Sequence, residues 1–229
     1  GHTLVHETEV SQIKGQQALI PYISRNDHNR SAEEIAAYAE ELFLTLKQAR
    51  SMDFELHNHM FNRYLYESLG IEFSIPLSEA ETIFWDHFAP GEAMPHAAEM
   101  LNFLQDQGIR TGIISNISFS GEALTRRVQK LYPRHAFEMV IASSEYVFRK
   151  PCKRIFGLAV AKSGLRPKEL WYCGDSPYFD LGGATEAGMF PIWYCSDKDC
   201  HYRENIVQEK PSCEHIKIND WRQLSDILK

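Results

Sequence analysis

The stretch Leu170-Trp-Tyr-Cys-Gly-Asp-Ser-Pro-Tyr-Phe-Asp-Leu-Gly-Gly-Ala-Thr-Glu-Ala-Gly-Met189 decides how the rest of the chain is read. Leu170 to Cys173 is an apolar run of the length expected for a buried strand of a parallel sheet, and Gly174 ends it. The turn beyond carries Asp175, Ser176 and Asp180, and Ala184, Ala187 and Met189 then recur as in a short helix packed back on a sheet. Ligands of open α/β sheets bind just beyond the carboxyl ends of strands. Two carboxylates on such a loop can converge on one hard cation such as Mg²⁺. The same residue type also caps turns and helices, so Asp175 and Asp180 admit that plainer reading too.

Outward from this stretch the rhythm is that of an α/β fold. After Pro90-Gly91 the sequence predicts a helix from Pro95 to Gln107, a strand from Thr111 to Ser115, a helix from Gly121 to Tyr132 and a strand from Glu138 to Ala142. Pro151 to Ser163, with Pro in the first turn and Gly164 past the end, is a further helix. Pro191 to Tyr194 and Ile216 to Ile218 are strands, and Asn219 caps a terminal helix through Leu228.

The first ninety residues read differently. Ser31-Ala-Glu-Glu34 is a capping box, and Ile35, Ala39, Leu42, Phe43 and Leu46 follow at helical spacing, which predicts a helix of about 18 residues. Met52 to Leu69 repeats the pattern and ends at Gly70. Ser78-Glu-Ala-Glu81 reads as a second capping box, opening a shorter helix through Trp85. Three helices with no strand between them predict an all-helical insert with its own small core. His57, His59 and His87 fall within it and receive no role, since helical histidines are more often surface or core residues.

With 229 residues, 44% hydrophobic and 24% charged, the chain has the composition of a globular protein of one large or two modest domains. A net charge of −7 with scattered Lys and Arg argues against a nucleic-acid partner. No apolar stretch approaches the roughly 20 residues that cross a bilayer, and no leader pattern is visible. The expectation is a cytoplasmic protein with no membrane partner; oligomeric state is not legible. Five Cys residues, an odd number, read as reduced thiols, with Cys152 and Cys173 in the core. Cys195, Cys200, His201, Cys213 and His215 have zinc-ligand chemistry but lack paired C-x₂-C spacing.

Three successive strand ends finish in polar residues. Ser115-Asn116 offers a hydroxyl and an amide to a phosphoryl oxygen. Arg149-Lys150-Pro151 sets a cation at the start of a helix, where the macrodipole also favours an anion. Asp175 and Asp180 supply carboxylates. Ser115-Asn116, Lys150-Pro151 and Gly174-Asp175-Ser176, with Asp180, Ala184, Ala187 and Gly188-Met189 following, resemble motifs two, three and four of the haloacid dehalogenase-like hydrolase superfamily.

That resemblance spans nearly the whole chain. It implies a Rossmann-like core over residues 1–12 and 91–229, with a parallel sheet, and a type-one helical cap over residues 13–90. It implies a Mg²⁺-dependent phosphatase that acts on a small phosphorylated substrate through an aspartyl-phosphate. Carried over residue by residue, Ser115, Asn116 and Lys150 bind the phosphoryl oxygens, and Ser115 and Lys150 assist the chemistry. Asp175 and the backbone carbonyl of Gly1 hold the metal, and Asp180 orients either the metal's surroundings or Lys150. Cap residues within Ile13–Arg30 or around His57–Arg63 would set specificity.

The superfamily's first motif is Asp-x-Asp-x-Thr-Leu, and here only Thr3-Leu4 match its end. The nucleophile is therefore expected two residues upstream of Gly1, at the end of an apolar strand. Gly1 takes the place of the second Asp, which protonates the leaving group, a role worth roughly 10²–10⁴ in rate. A good leaving group, a cap residue or water that supplies the proton, or a scaffold kept only for binding are the alternatives. Two related chemistries also lack that Asp or the metal. One is dehalogenation, which leaves Asp175 without a cation; the other is C–P hydrolysis, for which Lys14 and Lys47 are the candidate cap lysines.

Overall fold

A computed structural model describes residues 1–51, 53–198 and 211–229. In chain order the elements are β1 (Val5–Glu7), α1 (Gln12–Leu19), β2 (Ile23–Asn26), α2 (Ala32–Ser51), α3 (Asn58–Ser68), β3 (Ile71–Phe73) and α4 (Leu77–Phe88). Then follow β4 (Gly91–Ala93), α5 (Ala97–Asp106), β5 (Gly112–Ser115), α6 (Gly121–Leu131), β6 (Met139–Ala142), α7 (Lys153–Ser163) and β7 (Trp171–Gly174). The chain ends with α8 (Gly183–Glu186), β8 (Phe190–Tyr194), β9 (Ile216–Ile218) and α9 (Trp221–Ile227).

All five strands after β4 pair in parallel, as alternation of helix and strand requires. They form two groups, β5 with β6 and β7 with β8 and β9. One edge of β5 and one edge of β7 carry no ladder partner among the described residues. The two edges flank a slot, crossed by the Tyr172 hydroxyl, which donates to the Ile114 carbonyl at 3.4 Å. Met100, Leu101 and Leu104 of α5, Trp221 and Leu224 of α9 and Ala159 of α7 also line it. The slot opens into one cavity of about 1480 Å³ that reaches between the α/β and helical portions.

The helical portion departs from a purely helical reading. Residues 13–30 hold most of α1 and all of β2, and β2 pairs antiparallel with β3. Gly15 is the reason α1 can pack so closely, because a Cβ there would lie 2.5 Å from the Phe84 ring of α4. The Ser31–Glu34 capping box forms as read, with Ser31 N–H donating to Glu34 and Glu34 N–H to the Ser31 hydroxyl. The second one does not. Helix α4 begins at Leu77 behind Pro76 with no side-chain cap, and Glu81 turns inward. Helix α3 starts only at Asn58, because Asp53 to Leu56 cross to the α/β portion, where Phe54 bridges to Phe148. At the other end Asp220, not Asn219, caps the last helix, accepting from Arg222 N–H at 2.8 Å.

Glu81 is completely buried. Its carboxylate accepts from the Ser120 N–H and Asn58 Nδ2, both at 3.1 Å, and from the Ser120 hydroxyl, and it meets His59 Nε2 at 3.0 Å. Ser120 caps α6, so this carboxylate rivets α3 and α4 to the α/β portion. Trp85 lies between the Phe119 ring, stacked at 4.3 Å, and the Arg127 guanidinium, also at 4.3 Å.

Among the described residues no helix is long and apolar enough to cross a membrane. Cys152, Cys173, Cys195 and Cys213 are free thiols, and burial pushes that of Cys173 up to about 12. Cys200 and His201 lie outside the described residues. Among those described, no group of three His, Cys, Asp or Glu converges on a point.

Replacing Glu81 by Ala strands several buried donors and is expected to cost about 3 kcal/mol. Urea unfolding checks this as a lower midpoint at unchanged slope. A loss below about 0.5 kcal/mol, the range of an ordinary surface substitution, would show that the rivet carries nothing.

Candidate active site

Residues from the carboxyl ends of β5, β6 and β7 and the loops beyond them, Ser115, Asn116, Lys150, Asp175 and Asp180, line one cavity. Each is placed by its local sequence. Ser115 is the last residue of β5. Gly174 closes β7 because nothing larger fits: a Cβ there would strike Asp180, whose Oδ2 lies 2.7 Å from that point. Ser176 caps the helical turn Pro177–Gly182, its hydroxyl accepting from the Phe179 N–H at 3.2 Å. That turn points Asp180 back beneath the strand end.

The Lys150 side chain is 12% exposed, and its ammonium donates to Asp180 Oδ1 at 2.5 Å and to the Tyr172 hydroxyl at 3.0 Å. Burial works against its charge, but the Asp180 carboxylate and Tyr172 outweigh it and hold the lysine above its ordinary pKa. Burial likewise pushes the Tyr172 phenol up. Lys150 therefore stays a fixed cation across the physiological range. The other Asp180 oxygen accepts from the Ser176 N–H at 2.9 Å. Of the two roles read for Asp180, the geometry favours orienting the lysine.

Asn116 joins two of these loops. Its Nδ2 donates to the Lys150 carbonyl at 2.8 Å and its Oδ1 accepts from the Lys150 N–H at 2.7 Å. The carboxamide thus staples two loops together, using one of its two Nδ2 donors and its Oδ1. Asp175 is 9% exposed, its Oδ1 accepting from the Thr3 hydroxyl at 2.7 Å and its carbonyl from Trp193 Nε1 at 3.3 Å. The Gly1 carbonyl accepts from the Thr3 N–H at 2.9 Å. The Asp175 carboxylate and the Gly1 carbonyl are hard oxygens of the kind Mg²⁺ takes, an ion that uses one or two carboxylates and keeps several waters, and among the described residues no group of three His, Cys, Asp or Glu forms around them.

From the helical portion, Gln12, Gln16, Asn58, Phe61 and Asn62 reach the cavity, which includes members of both stretches singled out for specificity. Lys14 does not: it is half-exposed and paired with Glu9 at 2.7 Å. The side chain of Lys47 lies outside the described residues. Sequence reasoning missed Thr3, Tyr172 and Glu55. Glu55 is buried under the site, accepting from the Ser143 hydroxyl at 3.0 Å and lying 3.7 Å from Arg149 Nε. A charged residue at an otherwise apolar position was the one signal available for it.

A family described as haloacid dehalogenase-like hydrolase matches residues 3–188. Glyceraldehyde 3-phosphate phosphatase of Methanothermobacter thermautotrophicus is 32% identical over 143 residues, which are 62% of this chain and 61% of that relative's length. The Pyrococcus furiosus protein of the same name is 25% identical over 231 residues, covering 99% of this chain and 89% of the relative. Among solved structures, 2-haloacid dehalogenase from Pseudomonas syringae superposes with a TM-score of 0.60 at 17% identity, covering 100% of this chain and 94% of the other.

Because Lys150 and Asp180 are buried against each other, a double-mutant cycle of Lys150→Met and Asp180→Asn should return a coupling energy of about 2–3 kcal/mol in urea unfolding. Additive losses would show that the ion pair is not the joint of these loops.

Proposed function

We propose, because the chain belongs to the haloacid dehalogenase-like hydrolase family, that this site is that of a phosphatase for a small phosphorylated metabolite, working through an aspartyl-phosphate. The observation that supports the reading is that Ser115, Lys150 and Asp175, from the carboxyl-side ends or loops of three parallel strands, line one cavity. Phosphoryl transfer needs positioning and charge neutralisation more than covalent help. Lys150, held by Asp180 and Tyr172, gives one fixed positive charge, and the Ser115 hydroxyl donates to a phosphoryl oxygen. Asp175 would hold Mg²⁺, which when bound neutralises charge on the transferring group. A displacement at carbon would leave Asp175 without work.

The nucleophile in this reading is an aspartate on a strand lying between β5 and β7, two residues ahead of Gly1. The edges of β5 and β7 that carry no ladder partner among the described residues, with apolar helical residues lining the same cavity, suit a central strand. Thr3, bonded to Asp175, fixes the near end of that connection. The helical portion serves as the cap, and Gln12, Gln16, Asn58 and Asn62 meet the part of the substrate beyond the phosphate. Glyceraldehyde 3-phosphate, in the names of both relatives, is the first substrate to try.

Asp175→Asn should lower Mg²⁺-dependent turnover of 4-nitrophenyl phosphate by about 10²-fold or more, as expected for loss of a charge-stabilising group. EDTA should abolish wild-type turnover. Turnover unchanged in either experiment would overturn the assignment.

A further inference from the structure

We infer that Glu7 is the acid that protonates the departing oxygen, standing where Gly1 provides no side chain; the inference rests on the phosphatase reading above. A Cβ built on Gly1 would lie 2.5 Å from Glu7 Oε2 and 3.4 Å from Glu7 Cδ. The Glu7 carboxylate thus fills the space into which a short acidic side chain at position 1 would project. Glu7 is only 8% exposed, and its Oε2 has no hydrogen-bond partner among the described residues. Buried carboxylates are otherwise partnered, and an orphan one calls for a ligand or a catalytic role. Gly1 and Glu7 line the same cavity as Ser115, Lys150 and Asp175.

The local fold explains the approach. His2 takes a left-handed backbone conformation, with φ 57, and its N–H donates to the Val5 carbonyl at 2.6 Å. That turn folds the first residues back along β1 and sets Gly1 against Glu7, while the Thr3 hydroxyl ties the turn to Asp175. Pairing of Glu7 with Gly91 of β4 fixes the strand that carries the acid. A purely structural glutamate would spend its buried oxygen on a neighbour, as Glu55 and Glu81 do.

In the first step the aspartate oxygen bonds to phosphorus as the phosphorus–oxygen bond to the leaving group breaks, and the Glu7 proton passes to that oxygen to release an alcohol. In the second, the Glu7 carboxylate takes a proton from the attacking water, whose oxygen bonds to phosphorus as the aspartate leaves. Phosphate is released and Glu7 is again protonated.

The test compares glycerol 3-phosphate, with a poor leaving group, and 4-nitrophenyl phosphate, with a good one, on wild type and on Glu7→Gln. The variant should lose about 10²–10⁴-fold in kcat on the alkyl ester and at least tenfold less on the aryl ester. Combining Gly1→Asp with Glu7→Ala should recover alkyl turnover by at least tenfold over Glu7→Ala alone, which a merely structural role would not allow. Equal losses on both esters, or no recovery, would overturn the role of Glu7 while leaving the phosphatase reading intact. Wild type that turns over neither ester would overturn both.

Discussion

The candidate site hangs on one buried ion pair. Removing an ammonium from water costs several kcal/mol, and only a close carboxylate with further hydrogen bonds offsets it. Asp180 reaches Lys150 because Gly174 leaves it room, and its other oxygen is held by the Ser176 N–H. Asn116 grips the lysine's main chain from the opposite strand end, and Tyr172 contacts both charges from within β7. Loops from three strands therefore agree on the position of a single positive charge. None of the three could move alone without breaking a contact that is costly to leave unmade.

The join between the helical and α/β portions applies the same logic. Glu81 and Glu55 both enter the α/β side from helical-side segments, and each accepts from serines there, Ser120 and Ser143. The main chain adds short bonds across the same seam, Glu55 N–H to the Val147 carbonyl at 2.6 Å and Asn58 N–H to the Ser118 carbonyl at 2.8 Å. Apolar packing of Trp85 on Phe119 contributes area without strongly preferring one orientation. Directional bonds to buried carboxylates do prefer one, so they fix how the helical side sits against the α/β side.

What the sequence disclosed follows the physics of locality. Strands β5, β6 and β7 and the helices between them were legible because apolar runs and Gly or Pro punctuation are written in consecutive residues. The positions of Ser115, Lys150 and Asp175 came with them, since Ser115 ends β5, Asp175 follows the last residue of β7 and Lys150 precedes the proline ahead of α7. Helix α1 was hidden by Gly15, a poor helix former that is present for its close approach to Phe84. A Ser-x-x-Glu spacing looks the same whether the glutamate caps its own helix, as Glu34 does, or turns inward, as Glu81 does. Asn116 offered an amide, but nothing local could say that it faces Lys150 across 34 residues of chain. Glu7 was invisible for a related reason: it matters only because the fold lays it against a glycine.

That last placement has a structural consequence. Strands β1 and β4 carry the chain between the two portions, and they are paired from Val5 with Ala93 to Glu7 with Gly91. Thr8 N–H to the Pro90 carbonyl and Ser11 N–H to the Phe88 carbonyl extend the pairing to the ends of α1 and α4. The ladder that seats the Glu7 carboxylate against Gly1 is thus the same ladder that sets the direction in which the helices leave the α/β portion. A carboxylate at position 1 itself would belong to the α/β side alone; one borrowed from β1 ties the position of the acid to the seating of the helices above the cavity.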